Sequence, residues 1–124
     1  MEIGATFTIE KTVEHRDSAA ALGSGSVAVF ATPAMILLME DAARLAVQDA
    51  LPEGSTTVGT VVNIQHMAAT PVGMRVTATA RLIEINGRTL TFDVEAHDEK
   101  RQIGKGSHQR AVIDIYRFMS KLEQ

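Results

Sequence analysis

The chain has 124 residues, of which 45% are apolar and 4% aromatic, and a formal charge of −3. That is enough for one domain with a real core, residues 1–124. The mild acidity excludes a global pull towards nucleic acid or an anionic membrane, and the lack of cysteine excludes disulfides, thiolate nucleophiles and Cys-ligated metals.

The opening stretch alternates apolar and charged residues, and Phe7, Ile9 and Thr12–Val13 predict a first strand. It lacks the long apolar segment of a signal peptide, so a cytoplasmic protein is expected. Residues 17–27, small, polar and glycine-containing, predict a mobile loop. Thr32–Pro33 then signals a helix start, with threonine as the N-cap and proline at the first helical position. No further glycine or proline occurs before Pro52 and Gly54, which predicts a helix to Leu51. This helix is apolar around most of its circumference, with Glu40, Asp41, Arg44 and Gln48 as its polar stripe, so burial is expected. Its longest apolar run, Ala34 to Met39, is too short to cross a bilayer.

Four strands are predicted next. Thr56 to Met67 is rich in Val, Thr and Ile. After a turn through Pro71 and Gly73, Met74 to Ile85 alternates Val76, Ala78, Ala80 and Leu82 against polar neighbours. Asn86–Gly87 signals a hairpin leading into Arg88 to His97. A polar turn at 98–101 precedes Gln102 to Tyr116, where Gly104 and Gly106 mark bulges or close approaches. The tail from Arg117 reads as a short helical end. The order is one strand, a long helix and four strands in antiparallel succession, a two-layer α+β architecture. A curled sheet leaves edge strands that a second copy is expected to cover.

Read one at a time, the polar residues stay ambiguous. Thr32 is an N-cap, Glu40 a solvated edge glutamate, His66 a core histidine beside Val62 and Ile64, and Gly59 a bulge. Arg110, Lys105 and Arg101 are strand or turn charges. His15, His97 and His108 lack zinc spacing, so no metal is expected. Together they also suit hydrolytic chemistry, which needs a nucleophile or base, a proton carrier and an oxyanion donor. Glu40 is a carboxylate on a buried helix, His66 titrates near neutrality, and Gly59 offers a backbone N–H with no side chain in the way. Arg110, Lys105 and Arg101 suit phosphate oxygens.

Three stretches carry a family resemblance: Phe30–Met35 running on to Leu38–Met39–Glu40; Val58–Gly59–Thr60 to His66 with Ala68–Gly73; and Ile103 to Arg110. In them the chain resembles hotdog-fold acyl-CoA thioesterases related to the fluoroacetyl-CoA-specific thioesterase. The resemblance implies a hotdog fold, a sheet wrapped round one central helix, and a homodimer, with a tetramer left open. It implies hydrolysis of an acyl-CoA without a cofactor, coenzyme A being part of the substrate. Thr32, Glu40 and His66 take the family's catalytic positions, Gly59 that of its backbone donor near the thioester carbonyl, and Arg110 that of its late-strand arginine. The family's phenylalanine gate has no counterpart: Gly23 and Ser26 stand there. The thioesterase activity therefore carries over and the fluoroacetyl specificity does not. The alternative from another class is a non-catalytic acyl-CoA or acyl-carrier binding module on the same fold. A hydratase on this fold ranks lower, because Glu40 and His66 lie on different elements.

Overall fold

The computed structural model describes residues 1–123. In chain order it contains β1 (Thr6–Thr12), a 3-10 turn (His15–Asp17), α1 (Ala19–Leu22), α2 (Thr32–Gln48), β2 (Ser55–His66), β3 (Arg75–Asn86), β4 (Thr89–Asp98), β5 (Gln102–Asp114) and α3 (Ile115–Leu122). The strands form one five-stranded sheet in the order β1-β3-β4-β5-β2, antiparallel at every pairing. The α+β hotdog architecture is thus present, with α2 against one sheet face.

The period-2 pattern sets that face. Val76, Ala78, Ala80 and Leu82 on β3, and Leu90, Phe92, Val94 and Ala96 on β4, are all buried. They meet a helical stripe of Met35, Leu38, Met39, Ala42, Ala43 and Val47, spaced as one side of a 3.6-residue helix requires. The opposite side of α2 is less covered than its composition predicts, with Leu37 65% exposed.

Five boundaries depart from the sequence expectations. Residues 17–27 are not simply a loop: Ser18 accepts the Ala21 N–H, and Gly23, at φ +77°, closes the one-turn α1. This is N-cap serine and C-terminal glycine chemistry on an alanine run. Thr32 is not the N-cap of α2; Ala31 is, without a side-chain bond, and Thr32 is the first helical residue. The helix ends at Gln48, and the last strand ends at Asp114 because the Asp114 side chain caps α3. At the β3–β4 hairpin Asn86 pairs with Thr89, so Gly87 and Arg88 form the two-residue loop. Of these two, Gly87 alone has positive φ, as the first central position of a II′ turn requires.

Gly106 is a close approach rather than a bulge, since both ladders run through it without a shift, whereas Gly104 borders a bulge: Ala96 pairs with Gly104 and His97 with Gln102, which leaves Ile103 as the extra residue. A Cβ on Gly106 would strike the Asn63 carbonyl and Ile64 Cα of β2, whereas one on Gly104 would meet chiefly the flexible end of Met35 at 2.6 Å. Gly106→Ala must therefore push β2 and β5 apart and is expected to cost about 1–3 kcal/mol. Gly104→Ala should cost less; chemical denaturation of both variants checks the order, and the reverse ranking contradicts it.

Candidate active site

The ladder between β2 and β5 places most of the site. Its register shifts between Gly59 and Val61, leaving Thr60 as an extra residue. Thr60 Oγ1 donates to the Gln109 carbonyl at 3.1 Å across the bulge. The shift changes which residues face α2. Before it, Thr57 and Gly59 face inward, Thr57 bonded to Arg110 and Gly59 against Glu40. After it, Ile64 packs on the core and His66 reaches α2. Without the extra residue, strand alternation would turn His66 away from the helix.

Two polar groups result. In the first, Thr32 Oγ1 and His66 Nδ1 are 2.7 Å apart. Because Ala31 occupies the cap position, the Thr32 hydroxyl is free for this bond. His66 Nε2 is buried and has no well-formed partner. Burial holds the His66 pKa below its ordinary value, opposed by the Ala68 backbone. The pair borders a cleft of about 350 Å³ whose walls include Ala19, Ser24, Val29, Phe30 and Ala68.

The second group surrounds Glu40. Its Oε2 lies 3.5 Å from an Arg110 terminal nitrogen and 4.0 Å from His108 Nε2. Gly59 stands so close that a Cβ there would come within 2.5 Å of the same oxygen. Arg110 is 5% exposed. Its Nε donates to Thr57 Oγ1 at 2.7 Å, one terminal nitrogen to the Thr57 carbonyl at 2.9 Å, and the other faces His108 Nε2 at 3.1 Å. Burial lowers the Arg110 pKa, Glu40 opposes that, Arg44 adds to it and Asp41 opposes it; the group stays a cation because arginine does not deprotonate in proteins. So committed, Arg110 supports Glu40 and is not free for a phosphate of coenzyme A, which corrects that element of the sequence expectation. Thr57 and His108 were missed as site residues. The available signal was His108 and Arg110 two apart on a strand, hence on one face.

The structure does not bring Lys105 into either group. It alternates with the inward-facing Gly104 and Gly106 and lies in an outer-face cleft with Asn63, Gln65, Asp93 and Glu95. Arg101 sits exposed in the β4–β5 turn, its N–H bonded to Asp98 Oδ1 at 3.0 Å. That turn is tied to the end of the sheet near His66 by Thr70, whose hydroxyl donates to Asp98 Oδ2 at 2.8 Å. Among the described residues no cluster of three or more His, Asp or Glu is placed to hold a metal, and no helix is long and apolar enough to cross a membrane.

His108, buried, and His66, half-buried, give a pH prediction. Burial lowers the His108 pKa; the Val61 carbonyl opposes this, Arg110 reinforces it and Glu40 opposes it. His66 is lowered as well. A depressed folded pKa means that the unfolded chain binds more protons as pH falls below about 6.5. The stabilisation is therefore complete above that value and is lost as pH falls through the folded values. Thermal melts between pH 7.5 and 5 should show a falling Tm; a flat or rising Tm contradicts the buried neutral state.

Known proteins share this architecture. Residues 13–116 match the model of the fluoroacetyl-CoA-specific thioesterase family, FlK. The chain is 39% identical to the fluoroacetyl-CoA thioesterase of Streptantibioticus cattleyicolor over 130 aligned positions, covering 100% of this chain and 94% of that protein. A solved structure of the fluoroacetyl-CoA thioesterase superposes with a TM-score of 0.93 at 38% identity, covering 100% of this chain and 96% of the other. A thioesterase-superfamily member from Thermus thermophilus superposes at 0.91 with 27% identity, covering 98% and 90%.

Proposed function

The chain belongs to the fluoroacetyl-CoA-specific thioesterase family and is an acyl-CoA thioester hydrolase, and from that premise we propose how its own residues carry the reaction. Glu40 supplies the electron pair that attacks the acyl carbon, directly or through a water. The backbone N–H of Gly59 meets the oxyanion. Thr32 and His66 orient the thioester, and neutral His66 takes the proton that water gives up, in its attack on the acyl carbon or on the Glu40 anhydride that direct attack forms, and passes it to the departing thiolate, so that water and acyl-CoA give the free acid and coenzyme A. The observation that carries this is the 2.7 Å Thr32–His66 bond on the same sheet face as Glu40.

Glu40 follows Thr32 by eight helical positions, about 12 Å along the axis. That is too far for both to act on one carbonyl within a chain. A homodimer in the cytoplasm resolves the distance. β2 is a sheet edge and exposes Val61 at 44% and Val62 at 46%, an edge that needs covering. Twofold antiparallel pairing centred near Val62 and Asn63 sets His66 opposite Gly59 of the partner subunit. Each site then joins the Thr32–His66 pair of one chain to the Glu40–Gly59 pair of the other. The cytoplasm suits a cysteine-free chain, which draws nothing from an oxidising compartment.

The acyl group is larger than fluoroacetyl in this proposal. Gly23 and Ser26 supply no aromatic side chain to narrow the open cleft beside Thr32 and His66. Arg101, exposed at the β4–β5 turn, is the cation assigned to a coenzyme A phosphate in this reading, and Lys105, in the outer-face cleft, is the weaker choice. Thiol release from acetyl-, fluoroacetyl-, medium-chain and aromatic acyl-CoAs tests the assignment, with no thiol background from the protein itself. The highest kcat/KM is expected for a substrate larger than fluoroacetyl-CoA. Saturable binding of every member without turnover points instead to a non-catalytic binding module.

A further inference from the structure

His108 has no role in the chemistry above, yet it is 1% exposed and lies 6.4 Å, centroid to centroid, from the core ring of Phe92. An imidazole buried there is costly unless its nitrogens find partners. Both do. Nδ1 is 2.7 Å from the Val61 carbonyl, which only accepts, so Nδ1 carries the proton and donates. Nε2 is 3.1 Å from an Arg110 nitrogen, which only donates, so Nε2 accepts. The two partners fix one neutral tautomer.

Those partners belong to different halves of the site. Val61 closes the β2 bulge, whose extra residue turns His66 towards Thr32. Arg110 is the cation beside Glu40 Oε2 at 3.5 Å. We propose that His108 is a positioning residue for both halves: one ring nitrogen holds the bulge that presents His66, and the other seats the guanidinium that orients Glu40. The assignment rests on the thioesterase roles given to Glu40 and His66. Removing His108 leaves the reacting groups in the chain and loosens their placement, which is the error to which rate is most sensitive.

The tautomer is measured on the wild-type protein, by NMR of the histidine ring nitrogens at pH 7.5. A neutral His108 with its proton on Nδ1 is expected. A proton on Nε2 overturns the proposal, because Arg110 would then face a second donor. Two variants separate the arms. His108→Asn keeps a donor near Nδ1 for Val61 and loses the acceptor for Arg110; His108→Gln keeps an acceptor near Nε2 and loses the donor. Each is expected to melt cooperatively, to keep KM within about twofold and to lose roughly tenfold to a hundredfold in kcat. A folded variant with wild-type kcat and only a lower Tm shows a structural role and overturns the proposal. Should neither variant fold, the tautomer decides. Wild-type protein that releases no thiol from any acyl-CoA removes the thioesterase roles, whereas the tautomer result is independent of turnover.

Discussion

Glu40→Gln is expected to lower kcat by about 10²–10⁴ while leaving the fold intact. The amide matches the carboxylate in shape but has neither its charge nor its basicity. The contacts that place residue 40 come from the neighbours: Arg110 at 3.5 Å and the Gly59 backbone. Glu40 is 36% exposed, so solvent screens its pairing with Arg110 and little stability depends on it. Steady-state kinetics beside a thermal melt check this. A folded Glu40→Gln protein keeping more than about a tenth of the wild-type kcat contradicts a chemical role for the carboxylate.

Removing either member of the Thr32–His66 pair should have the second-largest effect. Thr32→Ala and His66→Ala are each expected to reduce kcat by about 10²-fold or more, and the double variant should be little worse than the weaker single. The reason is the bond itself: at 2.7 Å each group sets the orientation and proton position of the other, so losing one disables both. Independent groups would multiply their effects. A double-mutant cycle distinguishes the two, and full multiplication contradicts a coupled pair. With the His66 pKa held down by burial, the imidazole stays neutral at pH 7. The acid limb of kcat/KM that vanishes in His66→Ala should have its midpoint below 6.5, the ordinary histidine value.

The sheet was legible in the sequence because its alternation is nearly unbroken. Val76, Ala78, Ala80 and Leu82 are buried as their spacing requires, and the helix from Thr32 is present because nothing interrupts it before Pro52. The short helix at Ala19–Leu22 was hidden by composition, although its capping serine and closing glycine are both in the sequence. Thr32 shows the opposite error. A threonine ahead of proline satisfies a local capping rule, yet the chain enters α2 one residue earlier and leaves the hydroxyl for His66. Local propensity cannot anticipate that exchange, since its beneficiary lies 34 residues away. The bulge at Gly59–Val61 was only half legible: the glycine pointed to it, but the change of face it imposes on His66 depends on pairing with β5. Arg110 was identified by resemblance, and its service to Glu40 rather than to phosphate follows only from its burial and its bonds to Thr57. The separation of Thr32 from Glu40 was readable from helix geometry alone, and the helix keeps it.

Subunit complementation is the most direct test of a site shared between chains. Glu40→Gln and His66→Ala proteins, each inactive alone, are mixed in equal amounts, unfolded, refolded together and assayed for thiol release. In a shared site a mixed dimer contains one intact site, built from the unmodified His66 of one chain and the unmodified Glu40 of the other. Random assortment makes about half the dimers mixed, so about a quarter of the wild-type activity should return. If each site lies within a single chain, every chain in the mixture is defective, and activity that stays at the level of the separate variants contradicts the shared site.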